Sequence, residues 1–116
     1  MITTTEIPRR DWMSFLDSLS RLHFDEPIRI EVLRQDIGAQ LEVTDLPLDG
    51  IVADLKGPSA AITVAAGTEP SGHVAHVISD PVAVRLAQDG AGRDDALEIV
   101  SADHTITLVF FDEYAR

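Results

Sequence analysis

The chain changes its hydrophobic period once, near Pro27, and does not change back. Before that point apolar residues recur at helical spacing. After it they alternate with polar residues or fall in short runs between turn residues. A chain patterned this way has one helix to lay against a sheet that takes most of its length, which predicts an α+β fold.

The helix is expected over about residues 9–22. Pro8 suits its start, where a fixed φ helps and a missing N–H costs nothing. At 100° per residue Trp12, Phe15, Leu16, Leu19, Leu22 and His23 share one side, and Arg10, Ser14, Asp17, Ser18 and Arg21 share the other. Asp17 precedes Arg21 by four residues, the favourable order for an exposed pair worth about 0.3–0.5 kcal/mol.

Alternation predicts strands at about 28–34 and 39–47, joined through Gln35-Asp36-Ile37-Gly38. Asp49-Gly50 has tight-turn chemistry and predicts a second hairpin leading into a strand at 51–56. The apolar phase slips at Leu46-Pro47-Leu48, which predicts a bulge or an edge there. Further strands are expected at about 60–66, 74–78, 82–88, 96–101 and 105–111. They are separated by Lys56-Gly57-Pro58-Ser59, a polar loop from Gly67 to Gly72, Ser79-Asp80-Pro81, an acidic loop from Asp89 to Asp95 with mobile composition, and Ala102-Asp103-His104. The tail from Asp112 reads as frayed. Connections this short imply antiparallel neighbours. About eight twisted strands should curl into a half-barrel or roll, a mostly antiparallel meander with the N-terminal helix packed against it.

Composition narrows the function classes. At 116 residues with 45% hydrophobic content, the chain reads as a single domain over 1–116. There is no cysteine, which removes disulfides and thiolate chemistry and points to a cytoplasmic address. The N-terminus lacks the basic and apolar regions of a secretion signal, and no apolar run reaches membrane-spanning length. A net charge of −11 opposes binding to nucleic acid or anionic membrane surfaces. The plain reading of that acidity is solubility, and the sharper one is a basic protein partner or mimicry of nucleic acid.

His73 and His76 come nearest to a metal pair, but an odd separation on a strand sends them to opposite faces, so no metal is assigned. His76 lies in phase with Val74 and Ile78 and reads as a hydrogen-bonded core residue. His23 ends the helix on its apolar side, where capping or packing outweighs catalysis. Asp54 lies out of phase with Ile51, Ala53 and Leu55 and should face solvent; if covered, it needs a cation such as Arg29 or Arg85. His73, His76, Arg85 and Asp54 are therefore the ligand-binding candidates, should a pocket inside the curved sheet bring them together. No nucleophile elbow, phosphate loop or EF-hand spacing is present, so no cofactor is expected and an enzyme is the weaker reading. Arg9, Arg10, Arg21 and Arg29 gather basic charge near the helix, and with Trp12 they are the interface candidates.

Several stretches together resemble an uncharacterised bacterial family catalogued only as a domain of unknown function. They include Glu6-Ile7-Pro8-Arg9, Trp12 with Phe15-Leu16, Ser20-Arg21 with His23, and Asp36-Ile37-Gly38-Ala39-Gln40. Asp45-Leu46-Pro47-Leu48 with Gly50-Ile51, Ala53-Asp54-Leu55-Lys56, His73 with His76, and Ala96-Leu97-Glu98-Ile99 with Ser101-Ala102-Asp103 complete the pattern. The resemblance implies a small bacterial cytosolic protein and carries over no activity, cofactor or catalytic residue. The chain departs from the family pattern at Pro27, where an aromatic is usual, and at His104, where glycine usually completes the last hairpin turn.

The leading functional expectation is a non-enzymatic module that self-associates, as a homodimer, or binds a protein partner through an exposed strand edge or sheet face. The alternative is a small-ligand or metal-binding domain, or a minor hydrolase, with a polar pocket in the curved sheet.

Overall fold

The structure, a computed structural model, describes residues 1–56, 59–68 and 72–111. Strand β1 (Thr3–Glu6) leads through a 3-10 turn at Arg9–Asp11 into helix α1 (Trp12–Leu22). Seven strands follow: β2 (Pro27–Arg34), β3 (Gly38–Asp54), β4 (Ala61–Ala66), β5 (Val74–Ser79), β6 (Pro81–Gln88), β7 (Asp94–Ser101) and β8 (Ile106–Phe111). They form one eight-stranded sheet in the order β1-β6-β7-β8-β2-β3-β4-β5. Every pairing is antiparallel. The sheet is not closed into a barrel, because β1 and β5 remain its two edges.

The helix and the alternating strands lie where their periods place them. Trp12, Leu16 and Leu19 are buried and join sheet residues such as Ile30, Ile51, Val84 and Leu97 in one core. Leu22 corrects the expected helix face: it is 66% exposed, whereas His23 beyond it is buried. The helix is fastened to β3 by Ser20. Its Oγ accepts from the Ile51 N–H at 2.8 Å and lies 3.0 Å from the Ile51 carbonyl and 2.7 Å from that of Leu16.

The eight strands are not the eight expected ones. β1 carries no apolar alternation, since all four of its residues are exposed. Its threonines favour extended backbone, and pairing with β6 from Thr3↔Gln88 to Glu6↔Arg85 fixes it. The hairpin expected at Asp49-Gly50 is replaced by continuous strand: the two segments on either side are the single strand β3. Gly50 does not take the positive φ that the expected tight turn requires.

β3 carries one extra residue at each of three places. Two of these interrupt its pairing with β2, between Leu46 and Val43 and between Val43 and Leu41, and one interrupts its pairing with β4, between Leu48 and Gly50. Asp45 at the first has φ 57°. Bulges add local twist and bend the strand. The front of β3 therefore pairs with β2 and its back with β4, which turns one sheet through a corner. The phase slip in the sequence at Leu46-Pro47-Leu48 is the trace of that corner.

Asp80, with φ 52°, makes the other corner by linking β5 to β6, which are not paired with each other. Its N–H reaches the Ala60 carbonyl at 3.0 Å and its carbonyl receives the Ala102 N–H at 2.9 Å. His104, with φ 73°, takes the left-handed conformation in the turn between β7 and β8. The Lys56–Ser59 turn and the Gly67–Gly72 loop lie partly outside the described residues, and the tail from Asp112 lies wholly outside them.

Candidate functional site

The densest polar cluster surrounds His23. The end of α1 delivers this ring against Phe111 of β8, with centroids 4.1 Å apart and planes 18° from parallel. Nδ1 lies 2.7 Å from Glu26 Oε1, and Nε2 lies 2.7 Å from Asp94 Oδ2. The other Asp94 oxygen accepts from Gln88 Nε2 at 3.0 Å. His23 and Asp94 are almost wholly covered, with side chains 11% and 8% exposed. Carboxylates occupy both ring nitrogens, leaving neither to take a proton from a third group. The cluster is a clasp that joins the helix end to β7 and β8. Asp94 stands 71 positions from His23, so no local signal in the sequence marks the pair.

The four ligand-binding candidates do not form one pocket. Arg85, on β6, reaches Glu98 at 3.1 Å and Glu6 at 3.4 Å. The hydrogen bond to Glu98 and the nearby Glu6 charge hold its guanidinium above its ordinary value. Asp54 is exposed at the end of β3, and its Oδ1 accepts the Lys56 N–H at 3.2 Å. His76 is half-buried on β5 opposite Val64. Burial lowers its pKa most strongly, with Glu42 pulling the other way and Arg34 adding to the fall.

His73 lies 3.4 Å from Asp49, across a cleft of about 290 Å³ that is also lined by Phe24, Asp25, Pro47 and Thr68. Gly67 forms part of its wall. A Cβ there would lie 1.9 Å from the Gly72 carbonyl oxygen, so the close approach and a φ of +99° both require glycine. Among the described residues, no group of three His, Asp or Glu side chains is placed to hold a metal.

The helix-side interface candidates separate as well. Trp12 is only 2% exposed, and its indole donates to the Ile7 carbonyl at 2.9 Å, so the ring belongs to the core and Arg9 stacks over it at 5.1 Å. Arg10 is exposed. Arg21 is paired with Asp17. Arg29 instead lies on the far side of the sheet, 4.2 Å over the Phe110 ring and 3.1 Å from Glu31.

That far side is the least ordinary surface of the molecule. Strand register places Ala83, Val100, Ile106, Leu33 and Ala39 in one row across β6, β7, β8, β2 and β3. The adjacent row, from β1 to β3, is Glu6, Arg85, Glu98, Leu108, Glu31 and Leu41. Phe110 and Arg29 are neighbours in the next. None of Leu33, Val100, Ile106, Leu108 and Phe110 belongs to the core or packs against it. An antiparallel sheet with one wet face normally alternates apolar-in with polar-out. β8 reverses that rule: its outward residues are Ile106, Leu108 and Phe110, and its polar residue, Thr107, points inward and is buried.

The chain matches the family described as "Family of unknown function (DUF5335)" over residues 3–115. It belongs to that family. No curated protein and no solved structure matches it. Among the described residues, no helix is long and apolar enough to cross a membrane.

Proposed function

We propose that this protein is a small cytoplasmic interaction module whose working surface is the outer face of β7, β8 and β2, and that it acts without catalysing a reaction. The observation that carries this reading is β8, a strand apolar on both sides of which only one side is covered by the protein's own core. Contiguous apolar surface rimmed by charge is the usual mark of a docking site. The rim here is Arg29 with Glu31 on one flank and Arg85 with Glu98 and Glu6 on the other. Lack of cysteine supports the cytoplasmic setting.

The His23 clasp supports the non-catalytic part of the reading, because both ring nitrogens are already engaged by carboxylates. The test is the native size of the chain in an extract of cells producing it. The wild type should elute well above its 12.6 kDa chain mass, and Leu108→Asp should return it to that mass while keeping its folded spectrum. One-chain elution of both proteins, together with a purified chain that stays single up to about 1 mM, would reject the proposal.

A further inference from the structure

Resting on that interaction reading, we infer that the occupant of the outer face is a second copy of this chain, docked across a two-fold axis parallel to β8 so that Arg29 of each copy meets Glu98 of the other. Charge selects the face on which two copies can meet. The whole chain carries −11, so two copies repel in most orientations. On the outer face two arginines, Arg29 and Arg85, stand among three glutamates, Glu6, Glu31 and Glu98. This face is therefore close to neutral and is where two copies approach with least repulsion.

The pattern is also complementary to itself. Leu108 lies between Glu98 of β7 and Glu31 of β2 in one row. A two-fold axis parallel to β8 lays β7 of each copy over β2 of the other, and so sets Glu98 of the second copy above Glu31. Arg29 is already held 3.1 Å from Glu31 and across the Phe110 ring. It thereby stands between two carboxylates, one from each copy, while the Leu108 side chains meet at the axis. Every such contact occurs twice, as an isologous interface requires.

The axis superposes five strands, β6, β7, β8, β2 and β3, each about 4.8 Å wide and about six residues long, a footprint near 24 by 20 Å, on the order of 500 Å² per copy. Two such faces make a contact of about 1,000 Å², at the small end of specific interfaces. The association should then be weak and concentration-dependent.

Sedimentation equilibrium on the purified chain, from about 10 µM to about 1 mM, reads this directly. The mass should climb from one chain towards two. Leu108→Asp and Leu41→Arg should each hold it at one; Leu41 would face Arg85 of the other copy and is 59% exposed, so its variant brings like charges together and leaves the core untouched. Arg29→Glu should weaken the dimer about tenfold or more, because it gathers three carboxylates, and adding Glu98→Arg should restore most of that loss, because the new arginine then stands between two carboxylates of the other copy.

A purified chain that stays single throughout overturns the inference. If its complex in extract still depends on Leu108, the docking face stands with a different occupant. If no complex forms in either setting, both readings fall together. A dimer that survives both leucine variants, or a double charge reversal without recovery, overturns the proposed face or its register.

Discussion

The two sides of β8 show how little a strand's own sequence says about which of its faces is covered. Val109 and Phe111 on the inner side are almost fully buried, and Ile106, Leu108 and Phe110 on the outer side are only half-covered, although both sets are large and apolar. The inner set is covered because β2, β7 and the corner in β3 bring the rest of the core over it. The outer set has charged neighbours in register and, among the described residues, lies outside the core cluster. The same side-chain chemistry is core on one side and half-exposed surface on the other.

The largest effect should come from thinning the inner side. Leu97→Ala removes a fully buried side chain from β7 and should cost about 2–5 kcal/mol, measured by chemical unfolding. A cost below that range would mean the inner side is less tightly packed than its burial implies. Next is the clasp that seals one end of the inner side. His23→Ala strips Asp94 of a partner and Phe111 of its stacked ring, and should cost about 2–3 kcal/mol. Asp94→Asn in the same background should then lose much less than it does in the wild type, because the two changes share one interaction.

His104 closes the turn between β7 and β8 and so helps fix the register of both sides. His104→Gly should raise stability by up to about 1 kcal/mol by releasing a left-handed conformation, visible as a higher unfolding midpoint. On the outer side Leu108→Ala should change the stability of the dilute protein by less than about 1 kcal/mol. If it costs as much as Leu97→Ala, the contrast between the sides is wrong.

The pH dependence belongs to residues away from both sides. Asp89 accepts the backbone N–H groups of Arg93 and Ala91, and Asp103 accepts that of Thr105, which hold both carboxyls below their ordinary value. Below the usual carboxylate value of about 4 the unfolded chain binds more protons than the folded one, so stability present above it falls as acid is added. Burial of His76 acts in the same direction at higher pH. From about pH 6.5 downward the unfolded imidazole takes up its proton first, and stability declines towards the lowered folded value. Unfolding midpoints across pH 3–8 for the wild type, Asp89→Asn and His76→Gln should show the acid limb shrinking in the first variant and the shallow limb below neutrality shrinking in the second.

Most of the local architecture is legible in the residue pattern. One helical repeat and eight strand-like runs, two of which make up β3, give α1 and the segments of β2 to β8, because a buried face must repeat with the period of its backbone. β1 is illegible because an edge strand exposed on both sides needs no apolar repeat. Asp49-Gly50 misleads because turn propensity is a local preference, and pairing of β3 with β2 and β4 on successive stretches overrides it. The site was less legible than the fold. The apolar outer row can be read from β8 once its orientation is known, yet Ile106-Thr107-Leu108-Val109-Phe110-Phe111 does not declare which side faces the core. Asp94 and Glu26 around His23, and the separation of Arg85 from Asp54 and His76, follow from contacts between elements far apart in sequence.

Residue type and local spacing are enough to give the fold class, the buried helix face apart from Leu22, antiparallel rather than parallel strands, and the acidic charge. Each of these depends on residue type and on spacing within one element or one turn. Tertiary structure alone decided the pairing of β1 with β6 and β2 with β8, the two corners that roll the sheet, the His23 clasp, and which side of β8 is left uncovered. These depend on which distant surfaces exclude water from one another, and that competition is resolved only when the whole sheet has formed.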